Sequence, residues 1–230
     1  MKKTHWDRLA EYVPGLKNRS ILDLGCGRGS FLVSAASEGA HITGLECSEA
    51  YRQIANRTLA ERDLSALIVA GRGEEIPLPD SSFDFINVNE VFEHTEQPKL
   101  MLHEMNRVLS PEGMVYLSIP NRFGIKDQHF HLYFLNWVPR RWADWYISLF
   151  GSHKNYDDLG IGRQRLGDMH YLTFGAAVRL CHVCGFSVED IRLNKIRGRV
   201  PAVFYPFALV LYVLARSFYF DSFHLLLKKR

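Results

Sequence analysis

Apolar positions in this chain gather into short runs of strand length, separated by stretches whose apolar residues recur at helical spacing. Ile21-Leu22-Asp23-Leu24, His41 to Leu45, Leu67 to Ala70, Ser82 to Val88 and Met114 to Ile119 are the strand-like runs. Ser30 to Glu38, the segment from the capping residue Ser48 to about Arg62, and Pro98 to Leu109 are the helix-like ones. A further short helix is expected over His5 to Val13, stopped by Pro14-Gly15. Strands alternating with helices imply an α/β chain with a mainly parallel sheet, covered by helices on both faces.

Beyond residue 120 the rhythm fails. Pro120 to Met169 is rich in His, Trp, Tyr, Phe and Arg and has few clean periods. Because it leaves the carboxyl end of the fifth strand, it is expected to arch over a cleft there as a lid, or to pack as a miniature core of its own. Trp137 to Phe150 can form an amphipathic helix within it. Order resumes with a helix capped by Thr173 and ended by Gly185, then a strand from Phe186 to Leu193. Val200 to Ala215 carries no charge, and a second apolar run follows it, broken by Arg216, Asp221 and His224 and closed by Lys228-Lys229-Arg230. A spanning helix needs about 20 apolar residues, so no span is expected. The division predicted is a domain over 1–199 with its insertion at about 120–170, and an apolar segment over 200–230. That segment is expected to contact a membrane peripherally, or to pack on the domain or on a second copy in a homodimer.

Composition narrows the class. The 230 residues suffice for one large domain, and a formal charge of +3 offers no general case for nucleic acid. The four cysteines suggest no disulfide framework, and Cys181 and Cys184 read as helix residues because a C-x-x-C without a second pair is a poor zinc site. Met1 to Trp6 lacks an apolar signal core, which points to a cytoplasmic, perhaps membrane-associated protein rather than a secreted one.

The sharpest local signal is Ser20 to Phe31, S-I-L-D-L-G-C-G-R-G-S-F. A buried strand runs through three alternate glycines, Gly25, Gly27 and Gly29, into a helix start with its unpaired N–H groups. The next strand ends in Glu46, where a carboxylate can accept hydrogen bonds from both ribose hydroxyls of a nucleoside. This D-x-G-x-G-x-G pattern, with Asp23 first, differs from the dinucleotide G-x-G-x-x-G. It resembles the class I S-adenosylmethionine-dependent methyltransferases, whose first motif reads (D/E)-x-G-x-G-x-G. F-D-F-I-N-V-N-E-V-F-E-H followed by R-V-L-S-P-E-G extends the likeness over residues 20 to 120. The resemblance implies a Rossmann-like sheet of the seven-stranded type with S-adenosyl-L-methionine as cofactor. It implies a site drawn from Asp23, Gly25, Gly27, Gly29, Glu46 and Asn89, with Glu74 near the adenine. Arg72 stands where the family often has an acid.

Glu90-Val91-Phe92-Glu93-His94 sits at the end of the fourth strand, and its E-x-x-E-H spacing puts Glu90, Glu93 and His94 on one face of a helical turn. It resembles the ubiquinone-pathway O-methyltransferases and the metal-dependent 2′-O-methyltransferases of small-RNA ends. That likeness implies a divalent ion such as Mg held by Glu90, Glu93, His94 and a downstream histidine, for which His170 stands in place. Relatives with only the E-H pair leave open a metal-free role. His94, Glu93, His170 and, from the lid, His129 are the catalytic candidates. The expected function is O-methylation of a small hydrophobic or lipid-linked acceptor. The alternatives are a saccharide or other polar acceptor, and a non-catalytic cofactor-binding subunit of a membrane-associated complex.

Overall fold

The computed structural model describes residues 3–152, 155–156, 162–163 and 165–230. Its strands are β1 (Ser20–Leu24), β2 (His41–Glu46), β3 (Leu67–Ala70), β4 (Phe83–Val88), β5 (Leu109–Pro120), β6 (Asn155–Tyr156), β7 (Gly162–Arg163), β8 (Phe186–Asp190) and β9 (Ser222–Lys229). Its helices are α1 (His5–Ala10), α2 (Ser30–Ser37), α3 (Glu49–Ala60), α4 (Pro98–Val108), α5 (Arg140–Phe150), α6 (Phe174–Val183), α7 (Ile191–Arg199) and α8 (Tyr205–Arg216).

Seven strands form one sheet in the order β3-β2-β1-β4-β5-β9-β8, and β6 pairs with β7 apart from it. The first five are parallel, whereas β9 runs antiparallel to both β5 and β8. The sequence-based expectation of a mainly parallel α/β sheet with helices on both faces holds.

Successive residues of a strand point to opposite faces, and the core divides on that period. Leu22, Ile86, Leu225 and Leu227 pack with Met101, Leu102 and Met105 of α4 and with Ala177 and Cys181 of α6. Ile21, Phe85, Tyr116 and Leu226 face the other way, against Trp6 and Leu9 of α1, Phe31 and Leu32 of α2, and Ile191 of α7. Strands buried on both faces read as near-continuous apolar runs, which is why their pattern was plain.

Two expectations need correction. The segment set apart at residue 200 does not stay apart, because its last part, β9, is a fully enclosed strand of the sheet. Phe223-His224-Leu225-Leu226-Leu227 looked like more apolar tail; only its long-range pairing with β5, Leu117 opposite Leu225, makes it a strand. The strand foreseen to Leu193 also ends early. Asp190 turns the chain by accepting hydrogen bonds from the N–H groups of Arg192 and Leu193 at 3.0 and 3.3 Å, and α7 starts there.

The insertion after β5 carries a core of its own, with Phe130, Leu135, Ala143, Ile147, Leu166, Met169 and Tyr171 packed together. The α8 helix lies on the outside, and among its residues Tyr212 is buried, its hydroxyl donating to Asp190 at 2.6 Å. Among the described residues no helix is long and apolar enough to cross a membrane.

Candidate active site

The turn from β1 to α2 uses its glycines for different reasons. Gly25 has φ 74°, and a Cβ there would lie 2.4 Å from Cγ2 of Val91, so the motif after β4 closes directly on the turn. Gly27, at φ 52°, has open space where a Cβ would stand, and that space is the floor of a cavity of about 690 Å3. Gly29 does not line this cavity; it starts α2 and packs against Ala55 of α3. Glu46, buried at the end of β2, accepts hydrogen bonds from the N–H groups of Gly27 at 3.0 Å and Ser48 at 2.8 Å. Its carboxylate ties the glycine turn to the start of α3 and still borders the cavity.

Asp23 takes a different place from the one foreseen. It is 4% exposed, lies beneath the turn rather than in the cavity wall, and accepts a 2.7 Å hydrogen bond from Asn87 Nδ2. Burial, more than the nearby Glu46 charge, pushes its pKa up to about 7. Asn87 in turn meets His5 Nε2 at 2.9 Å, so one polar chain crosses from β1 to α1. Glu74 does line the cavity, but one of its oxygens is committed to the Thr95 hydroxyl and to the Glu96 N–H at 2.8 Å. Burial raises the Glu74 pKa, and these hydrogen bonds outweigh it to leave the carboxyl below its ordinary value.

The E-x-x-E-H stretch folds as a 3-10 turn, Phe92–His94, preceded by Glu90 at φ 58°. This backbone separates the two glutamates. Glu90 is exposed and accepts from Gln128 Nε2 at 2.7 Å, whereas Glu93 is fully buried. Oε1 of Glu93 meets His129 Nε2 at 2.8 Å, and Oε2 has no hydrogen-bond partner among the described residues. The His94 ring lies 5.1 Å from that of His129, and Glu93, His94 and His129 each offer a ligand atom within 4.8 Å of the others. Glu90 and His170 stand outside this cluster. His170 is held by its backbone, whose N–H donates to the Glu93 carbonyl at 2.9 Å. The four foreseen metal ligands therefore reduce to two, and His129 joins them.

A second cavity, of about 670 Å3, adjoins the first, and Glu90 and His129 line both. Asn89, foreseen in the cofactor site, lines this second space instead.

Residues 22–117 match the model of a methyltransferase domain family, a span that holds the glycine turn, Glu46 and the E-x-x-E-H stretch together. The chain belongs to the class I S-adenosylmethionine-dependent methyltransferases. A ubiquinone biosynthesis O-methyltransferase of Alkalilimnicola ehrlichii is 32% identical over 144 residues, 60% of this chain and 58% of that protein. A demethylmenaquinone methyltransferase of Listeria monocytogenes is 32% identical over 130 residues, 54% of each chain. The chain thus spans little more than half the length of these relatives. An S-adenosylmethionine dependent methyltransferase structure from Mesorhizobium loti covers 98% of this chain and 97% of its own, with a TM-score of 0.63 at 20% identity, a likeness of fold.

Within this methyltransferase the cofactor-side cavity has walls that the sequence left unmarked. Tyr51, one turn into α3, borders it, and the Arg28 guanidinium stands 5.9 Å from the Tyr51 ring centre. Arg165, Asp168 and Met169 of the insertion close the opposite side. Tyr51 could have been found as the aromatic three residues after the Ser48 cap; the insertion residues carry no comparable signal.

Proposed function

We propose that the protein transfers the methyl group of S-adenosylmethionine to a hydroxyl oxygen of a small hydrophobic or lipid-linked acceptor. The observation that carries the reading is His129, which stands on the wall common to two cavities with a buried carboxylate behind it. The cofactor, when bound, supplies a methyl on a sulfonium open to in-line displacement. The residues present fit it: Gly27 leaves the floor open, and Glu46 is placed to accept from ribose hydroxyls.

His129 takes the proton from the acceptor oxygen, and Glu93, bonded to Nε2, fixes the ring and stabilises the imidazolium that forms. Removing that proton at the moment of transfer is worth about 10²- to 10⁴-fold. The unpartnered Oε2 of Glu93 also makes the cluster fit a divalent ion, with Glu93, His94 and His129 as the residues that would hold it. Such an ion would polarise the acceptor hydroxyl. One carboxylate with two imidazoles suits Fe, Mn or Zn better than Mg, which favours oxygen ligands.

The outer surface supports the lipid part of the proposal. Phe207 and Leu214 of α8 are 72% and 66% exposed, and Trp145 and Phe150 of α5 are 63% and 62% exposed. Trp137 and Phe218, with ring centres 5.5 Å apart, join the two regions, and exposed Arg197 and Arg199 flank them. Apolar aromatics beside basic residues are the makings of an interfacial contact.

The test is transfer of labelled methyl from S-adenosylmethionine into host extract, followed by solvent partition. Label in the organic phase, abolished by His129→Ala, is expected; label confined to the aqueous phase would overturn the lipid-linked acceptor. Co-sedimentation with anionic vesicles, lost in Phe207→Ser/Leu214→Ser, checks the surface. A doubled mass in solution that the same pair abolishes would make it a dimer interface.

A further inference from the structure

The second cavity is walled by α1, the start of the insertion, α7 and β9, elements far apart in sequence. Four cations line it: Arg8, Lys126, Arg192 and Lys195. Arg192 is spent on the fold, donating to the Ser222 carbonyl at 2.7 Å and lying over the Phe220 ring. The other three have no carboxylate within 4 Å among the described residues. Lys126 and Lys195 rest instead over the rings of Tyr133 and Tyr12, at 5.6 and 4.9 Å, contacts that leave their charge unneutralised.

The acids facing this space are occupied elsewhere. Asp127 is fully buried and accepts from the N–H groups of His129 and Phe130 and from the Tyr171 hydroxyl. Glu90 is taken by Gln128, and Asp221 stands 3.9 Å from Arg192. The Tyr12 hydroxyl lines the same cavity, buried, with no hydrogen-bond partner among the described residues. A buried donor left unpaired costs about 1–3 kcal/mol, so this one stands ready for an acceptor atom.

Resting on the methyl-transfer reading for its role, we propose that this cavity is the acceptor site and that the acceptor carries a phosphate ester. Arg8, Lys126 and Lys195 hold the phosphate from three elements, and the Tyr12 hydroxyl donates to it. The hydroxyl to be methylated lies at the other end, against Glu90 and His129. A phosphate, with about −1.5 to −2 charge and three acceptor oxygens, matches three unpaired cations and one free donor. The phosphate could come from a soluble metabolite or from a lipid, and the chemistry of capture is the same.

Calorimetry on the full chain separates these sources, with phenol, phenyl phosphate and farnesyl phosphate as probes and S-adenosylhomocysteine binding measured alongside. Phenyl phosphate is expected to bind at least tenfold more tightly than phenol. Arg8→Ala/Lys195→Ala should remove that tenfold and leave S-adenosylhomocysteine affinity and melting temperature unchanged, since neither side chain bonds to the fold. Farnesyl phosphate binding tighter than phenyl phosphate supports the site with a lipid source, and equal binding supports it with a soluble one. Equal binding of phenol and phenyl phosphate, or a phosphate preference that survives the double substitution, overturns the proposal. Phosphate binding without S-adenosylhomocysteine binding would sustain the phosphate site and overturn the methyl-transfer reading instead.

Discussion

The two cavities that meet at His129 are built in opposite ways. The cofactor side comes mainly from consecutive turns of the first four strands, where backbone N–H groups and glycine geometry set the shape. The other side is assembled from α1, the insertion, α7 and β9, with side chains brought together across more than 200 residues, Arg8 to His224. The first half fixes what every member of such a fold must hold. The second half is free to vary, and there the charge of an acceptor is read.

The hardest blow to this comparison is Leu225→Asp. Leu225 is fully buried between β5 and β8, and an unpaired charge there should cost more than about 4 kcal/mol and abolish cooperative unfolding measured by circular dichroism. A variant that keeps phosphate binding would show that the second cavity does not need β9. His129→Ala comes next, lowering kcat by about 10²- to 10⁴-fold in single-turnover methyl transfer. S-adenosylhomocysteine affinity should stay within about threefold, because the residue's proposed work is on the acceptor.

Asp23 probes the polar chain that links the two sides. An acid whose folded pKa is raised keeps its proton better when folded, so its contribution is full below about pH 4. That contribution falls as pH climbs to about 7, where Asp23 titrates. Over that window it should cost up to about 4 kcal/mol, at 1.36 kcal/mol per unit. Asp23→Asn should flatten the decline in urea midpoints between pH 5 and 8; an unchanged slope would place the titrating group elsewhere. The smallest effect is on the glycine turn. Gly25→Val adds left-handed strain of about 1–2 kcal/mol and a clash with Val91, and should weaken S-adenosylhomocysteine binding about a hundredfold by calorimetry.

Legibility in the sequence follows the same divide. The glycine turn, Glu46 and the first five strands were plain because each depends on residues close in the chain. Asp23 was assigned to the ligand because its position in the motif says nothing of the hydrogen bond from Asn87, 64 residues on, that holds it under the turn. Glu90 and Glu93 looked equivalent by spacing, but a positive φ at Glu90 sends one to solvent and leaves the other buried. His129 entered as one of two lid histidines; its meeting with Glu93 depends on how the insertion folds back. Phe223 to Leu227 failed as a strand for a related reason, since its partners β5 and β8 are distant and its alternation is masked by burial on both sides.

The place of β9 also sets a schedule. It fills the gap between β5 and β8, yet it is the last of the seven strands to leave the ribosome. Until it arrives, the nascent chain holds a five-stranded parallel sheet whose β5 edge presents unpaired N–H and C=O groups along a largely buried apolar strand. Such an edge invites pairing with the wrong chain. Slow synthesis across Pro201 to Asp221 should therefore raise aggregation of this protein in cells, and a holdase that shields β5 should lower it.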